Sequence, residues 1–188
     1  MARQKSTDKR QAILSAATTL IAKEGLGAAT ASIAREAAVS NGSLFTYFET
    51  KQYLFNQLYT ELKLELIEAL REEWPDTSSI RTRFRHIWVR WTGWGADFPE
   101  KRRTLAQLSV SDLVTDETRA AGILEAGFTL DVIREMSRKG VLKGQPPAFV
   151  FSIVEALAGT TVDYMIRDPK HAAGLQASGF EAACKAIS

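Results

Sequence analysis

Residues 30–51 read TASIAREAAVSNGSLFTYFETK, two short helical patterns on either side of a tight turn. In the first, Ile33, Ala34 and Ala37 share one face at helical spacing, and Thr30 stands where a hydroxyl caps a helix by accepting a backbone N–H bond. Ala34 is small where a neighbouring helix must approach closely. The turn Ala38-Val39-Ser40 follows, with Val39 placed to plug the corner and Ser40 to cap the second helix. That helix begins at Asn41. Its apolar positions Leu44, Phe45 and Phe48 recur at three and four residues, leaving Asn41, Ser43, Thr46 and Tyr47 on the other sides. One face is expected to be core and the other polar and uncharged.

A surface of hydroxyls and an amide suits the major groove, where base edges offer donors, acceptors and thymine methyls and the phosphates line the rim. A carboxylate there would repel the backbone. Gly42 leaves no side chain between helix and groove, although glycine costs about 1 kcal/mol against alanine within a helix. Charge is segregated in the same sense. Residues 1–51 hold seven Lys or Arg and four Asp or Glu, a net of +3, and the remaining 17 basic and 18 acidic residues leave −1 elsewhere. This is the asymmetry a phosphate-binding surface requires. Arg3, Lys5, Lys9 and Arg10 read either as a flexible basic arm following phosphates or entering the minor groove, or as an ordinary solvated terminus.

At these residues the chain resembles the tetracycline-repressor (TetR) family, whose N-terminal domain follows IAxxAxVSxGxLYxxFxxKxxL; here it is IAREAAVSNGSLFTYFETKQYL. The resemblance implies that the second helix of the pair enters the major groove, that the chain is a homodimer, and that a small molecule releases the operator. The expected DNA contacts are Thr30, Ser40, Asn41, Gly42, Ser43, Thr46, Tyr47 and Lys51. Two positions depart from the pattern. Ala38 stands where the turn usually has glycine, so a positive φ there carries strain of about 1 kcal/mol, and Phe45 replaces the usual tyrosine.

The rest of the chain reads as helical. A first helix is expected over about residues 7–24, with Ile13, Ala16, Ala17, Leu20 and Ile21 buried and Gly25 and Gly27 marking its end. Gly25-x-Gly27 follows a helix rather than a strand and lacks a third glycine, so a C-cap accounts for it better than a nucleotide loop. A long fourth helix starts near Lys51 and ends before Pro75. Further helical segments are expected near 77–94, 100–112, 116–139, 147–167 and 170–187. The expected fold is all-α with about nine helices. An N-terminal three-helix, helix-turn-helix DNA-binding domain over 1–50 joins, through the long helix, a C-terminal ligand-binding and dimerisation domain over 51–188.

Phe84, Ile87, Trp88, Trp91 and Trp94 fall along one stripe, which reads either as plain core or as the wall of a pocket for an apolar or cationic ligand. The pocket reading takes Phe84, Trp88, Trp91, Leu105, Leu108 and Phe128 as walls. Gln107 and Glu125, with His86 and Arg90, are its polar candidates. The last helix is rich in small residues, and with the preceding segment it suggests a four-helix interface across a two-fold axis, or packing within the chain. The candidate interface is Val150, Val154, Leu157, Thr161, Met165, Leu175, Gly179, Ala182 and Ala183.

Enzymatic readings find little support: His86 and His171 stand alone, and no HExxH, CxxC or nucleophile motif occurs. No catalytic residue, metal site or cofactor is expected. The lone Cys184 cannot form an internal disulfide. No apolar run of about 18 residues and no signal sequence is seen, so a cytoplasmic protein without membrane contact is expected. The expected partners are a double-stranded DNA operator, a second copy of the chain and a small-molecule effector of unknown identity, with repression the expected outcome. The competing reading is a dimeric ligand-binding or protein-interaction module that does not bind an operator.

Overall fold

The computed structural model describes the backbone of residues 2–188 and the side chains of residues 7–188. Among these the fold is all helical, with ten α-helices and one short 3-10 turn. They are α1 (Ala2–Glu24), α2 (Thr30–Glu36), α3 (Asn41–Tyr47), α4 (Lys51–Arg71), α5 (Ile80–Asp97), α6 (Pro99–Ser109), α7 (Asp116–Glu125), α8 (Gly127–Met136), α9 (Pro147–Arg167) and α10 (Ala172–Ile187), with the 3-10 turn at Pro169–His171.

The chain forms two compact units, residues 1–64 with 99–122 and residues 65–98 with 123–188. These limits differ from a cut at residue 50. The continuous α4 contributes to both units, and α6 belongs with the N-terminal helices through side-chain bonds to α1. Thr104 donates to the Thr18 carbonyl at 2.8 Å and Gln107 to the Ile21 carbonyl at 3.2 Å.

In the N-terminal unit, Ile13, Leu14, Ala17 and Ile21 from α1, Ile33 and Ala34 from α2, Leu44 from α3, and Leu54, Phe55 and Leu58 from α4 are all buried. Burying such side chains contributes about 1.5–3 kcal/mol each, which is why seven-residue helices persist here although they are too short to be stable alone. Gly25, at φ 85°, closes α1 as expected. Asn56 fastens the segment between α6 and α7, donating to the Leu113 carbonyl at 2.8 Å and accepting from the Thr115 amide at 2.9 Å.

The C-terminal unit is organised around α5, which packs against α8, α9 and α10. Trp88 is fully buried, and its indole N–H donates to the Gln176 carbonyl at 2.9 Å. Gly179 of α10 lies against Trp88 and Thr161 so closely that a Cβ would overlap both. The helix expected over 116–139 is interrupted at Ala126. Arg71 donates to the Glu125 carbonyl at 3.0 Å, capping α7, and Gly127 opens α8. Among the described residues one helix, α9, is long and apolar enough by composition to cross a membrane. Val150, Val154, Ala158, Thr161, Val162 and Met165 form its buried face, while Phe149 (51% exposed) and Tyr164 (52%) lie outside.

Candidate nucleic-acid interface

The helix pair of residues 30–48 is held by its caps and its corner. Thr30 is the first helical residue of α2 rather than its cap; Ala29 occupies the cap position in an extended conformation without a side-chain bond. The end of α2 is a six-residue Schellman motif. The Val39 amide reaches back to the Ala34 carbonyl at 2.9 Å and the Ala38 amide to the Arg35 carbonyl at 3.1 Å. That pairing requires a left-handed residue between helix and turn, and Ala38 supplies it at φ 54°. The chain thus carries, with an alanine, a conformation that costs an L-residue about 1–2 kcal/mol. Ser40 caps α3 as expected, accepting from the Ser43 amide at 3.0 Å.

Leu44 of α3 and its C-cap Phe48 are fully buried, fixing the rotation of the helix. Asn41, Gly42 and Thr46 lie on the exposed face, with Ser43 and Tyr47 half-buried at its edges. Thr46 spends its proton on the Gly42 carbonyl at 3.1 Å. The side chains of Thr30, Asn41, Ser43 and Tyr47 have no hydrogen-bonding partner among the described residues. Their donors and acceptors are therefore available to a ligand outside the chain. A Cβ at Gly42 would meet nothing within 4 Å, so this part of the face is open.

Three expectations change. Phe45 is 39% exposed and joins the outer face instead of the core. A seven-residue helix resting on neighbours through Leu44 buries a narrow stripe, and Phe45 sits about 100° around from Leu44. Lys51 turns inward: its ammonium donates to the Leu26 carbonyl at 2.9 Å and lies 5.2 Å from the Phe55 ring. Its first role is to tie the α1–α2 loop to α4. The basic N-terminal segment is helical from Ala2, and Arg10 is engaged within the unit, with Glu61 at 3.2 Å and Gln57 at 3.1 Å. The side chains of Arg3 and Lys5 lie outside the described residues. The first turn of α4 adds a feature not expected from the sequence. Thr50 caps the Tyr53 amide at 3.0 Å, and Gln52 and Tyr53 stand exposed beside it. The Thr-x-x-Tyr spacing alone signals a cap, without showing which residues face outward.

The expected ligand residues are divided between the two units. Leu105, Gln107 and Leu108 belong to the N-terminal unit, where both leucines are buried and Gln107 is bonded to α1. In the C-terminal unit Phe84 stacks obliquely on Phe180 at 5.7 Å, and Trp88 is core. Trp91 is half-buried and stacks on Phe151 at 5.6 Å. A separate aromatic cluster centres on Trp74, whose edge contacts run to His86 (5.4 Å) and Phe128 (5.0 Å). Arg71 covers Phe128 and pairs with Glu125 at 3.6 Å. Arg90 is held by Glu72 and Glu73 at 2.9 and 2.7 Å.

The candidate interface residues are also redistributed. Val150, Val154, Thr161, Met165 and Ala183 are buried within the chain, and Gly179 faces Trp88. Leu157 and Leu175 are half-buried, and Ala182 is exposed. Cys184 is buried, and burial pushes its thiol above the ordinary cysteine range. Among the described residues no group of three or more His, Cys, Asp or Glu side chains is placed to hold a metal ion.

Residues 13–58, which span the helix pair, match the family model described as bacterial regulatory proteins, tetR family. An uncharacterized HTH-type transcriptional regulator of Haemophilus influenzae is 30% identical over 87 residues, which is 46% of this chain and 46% of that protein. This match therefore spans about half the length of that relative. The fold is similar over almost its whole length to a putative tetR family transcription regulator from Shewanella, with a TM-score of 0.80, 26% identity and coverage of 93% and 95% of the two chains. FadR from Bacillus subtilis, solved in complex with stearoyl-CoA, shares the fold at a TM-score of 0.68 and 17% identity, with 95% and 99% covered.

Proposed function

Because this chain belongs to the TetR family, a family of transcriptional regulators rather than enzymes, we propose that it is a sequence-specific regulator that binds a pseudo-palindromic double-stranded DNA operator as a homodimer. The observation that carries this reading is the outer face of α3. It is uncharged, its Asn41, Ser43 and Tyr47 side chains have no hydrogen-bonding partner among the described residues, and it is fixed in rotation by Leu44 and Phe48 below and by the Ser40 cap at its start. Side chains of this chemistry on the second helix of a helix-turn-helix read base edges in the major groove. Thr30 at the head of α2 and Thr50, Gln52 and Tyr53 at the head of α4 supply further polar groups for the flanking phosphates. The same geometry favours an operator-binding protein over an interaction module that has lost DNA.

One short helix reads only a few base pairs, so two copies related by a two-fold axis combine their readings in successive grooves about 34–36 Å apart. The exposed side of α9, with Phe149, Ala156, Thr160 and Tyr164, supports a second copy as its cover, together with Ala177, Ser178 and Ala182 of α10. An apolar helix buried on one side only leaves a surface that association removes from water. This face is shifted around the helices from Val150, Val154 and Gly179, which the chain uses for its own core.

Release by a small ligand completes the switch: a ligand that prefers a different spacing of the two α3 helices weakens operator binding, typically by about 1–3 kcal/mol of coupling. The half-exposed aromatic groups of the C-terminal unit, Trp74, Trp91, Phe128 and Phe151, favour an apolar or aromatic effector. The stearoyl-CoA complex of the similarly folded FadR makes long-chain acyl compounds the first class to screen. Repression, and a place in the cytoplasm with the DNA, follow from the same reading.

Mobility-shift titration against the DNA upstream of the chain's own coding sequence tests the reading. A sequence-selective complex of dimer stoichiometry is expected, with affinity falling steeply as salt rises. Binding that shows no sequence preference at any salt concentration would contradict it.

A further inference from the structure

The outer face of α3 contains one side chain that neither donates nor accepts a hydrogen bond. Phe45 is 39% exposed, between Asn41 one turn before it and the open surface of Gly42 and Thr46. Its backbone neighbour Leu44 is fully buried, so the ring is not a core residue caught at an edge. Single exposed apolar residues are ordinary on protein surfaces. This one differs in lying at the centre of a face otherwise composed of base-reading groups, on a helix whose rotation two buried side chains fix.

Resting on the operator-binding reading, we propose that Phe45 is a specificity-determining residue that recognises the C5-methyl group of a thymine in each half-site. The groove edge of an A·T pair offers one apolar group, the thymine methyl, flanked by the O4 acceptor and the adenine N6–H and N7. A phenyl ring answers the methyl by excluding water from both surfaces. It has no polar atom with which to answer any other feature of the groove. Asn41, on the same stripe four residues earlier, has an amide with no partner among the described residues, suited to the bidentate pattern of an adenine. The two side chains together favour half-sites in which a thymine and an adenine stand close along the groove.

The test uses a duplex enriched by the full-length wild-type chain from a random-sequence pool, with deoxyuridine then replacing each thymidine in turn. Deoxyuridine keeps every hydrogen-bonding group and removes only the methyl. At one thymine in each half-site the wild-type chain is expected to lose about fourfold in affinity, and about fifteenfold when both symmetric positions are changed. Phe45→Ala should bind the thymine duplex more weakly and no longer distinguish it from the deoxyuridine duplex. Phe45→Leu should retain part of the discrimination, and thermal unfolding of each variant separates lost folding from lost recognition. An enriched duplex in which no thymine-to-deoxyuridine change alters wild-type binding overturns this inference alone. So does a discrimination that survives unchanged in Phe45→Ala. Failure to enrich any sequence removes the operator reading and this inference with it.

Discussion

Helices α3 and α5 are both amphipathic and both carry side chains able to bind something, yet they use them oppositely. On α5 the large aromatic groups are consumed internally. Phe84 and Trp88 are fully buried, the Trp88 N–H is satisfied by Gln176, and Trp94 lies 3.3 Å from a Glu65 carboxylate oxygen. On α3 only Leu44 is buried, with the C-cap Phe48 beside it, and the side chains of Asn41, Ser43 and Tyr47 have no hydrogen-bonding partner among the described residues. A buried polar group must be paired, whereas an exposed one remains available to a partner. The contrast supports the proposed reading of α3 as the recognition surface, with Phe84 and Trp88 of the aromatic stripe serving as scaffold.

The largest effect that sharpens this contrast is expected at Trp88. Trp88→Ala removes a buried indole and orphans the Gln176 carbonyl, with an expected loss of about 3–5 kcal/mol in stability measured by denaturant unfolding. A loss below about 1 kcal/mol would mean that α5 is not the scaffold helix described here. A smaller effect of opposite sign is expected at the corner of the helix pair. Ala38→Gly relieves the left-handed alanine and is expected to raise stability by about 1 kcal/mol, offset in part by the entropy of the unfolded glycine. Unchanged or lowered stability in the same denaturation experiment would show that the turn does not hold Ala38 at positive φ.

Local patterns were legible where one short-range rule governs them. The Ser40 cap, the burial of Leu44 and Phe48 and the glycine at the end of α1 all follow from neighbours within one or two turns. The positive φ of Ala38 was legible only as a conditional, through the glycine expected at that place. The exposure of Phe45 is not legible, because helical spacing gives a direction and not the width of the buried stripe.

Nonlocal pairing is a different matter. Nothing in the sequence of α6 says that it lies on α1, so spacing alone does not separate Leu105, Gln107 and Leu108 from the tryptophans of the other unit. Burial of Val150, Val154, Thr161 and Met165 within the chain was hidden for a related reason: α9 is apolar nearly all round, and periodicity cannot say which side faces its own chain. Lys51 and Arg10 show the same limit for charge. Each is a cation on a basic segment, and the structure commits each to a protein acceptor, Leu26 for one and Glu61 with Gln57 for the other.

The central claim is that the outer face of α3 serves recognition and contributes little to folding. It is tested most directly by measuring operator affinity and denaturation midpoint on the same Asn41→Ala protein. Affinity for a duplex enriched by the wild-type chain should fall by at least about tenfold, from a base contact of roughly 1–3 kcal/mol lost in each half-site, while the midpoint stays within about 0.5 kcal/mol of wild type. Unchanged affinity, or a loss of binding matched by a loss of stability, would contradict the account.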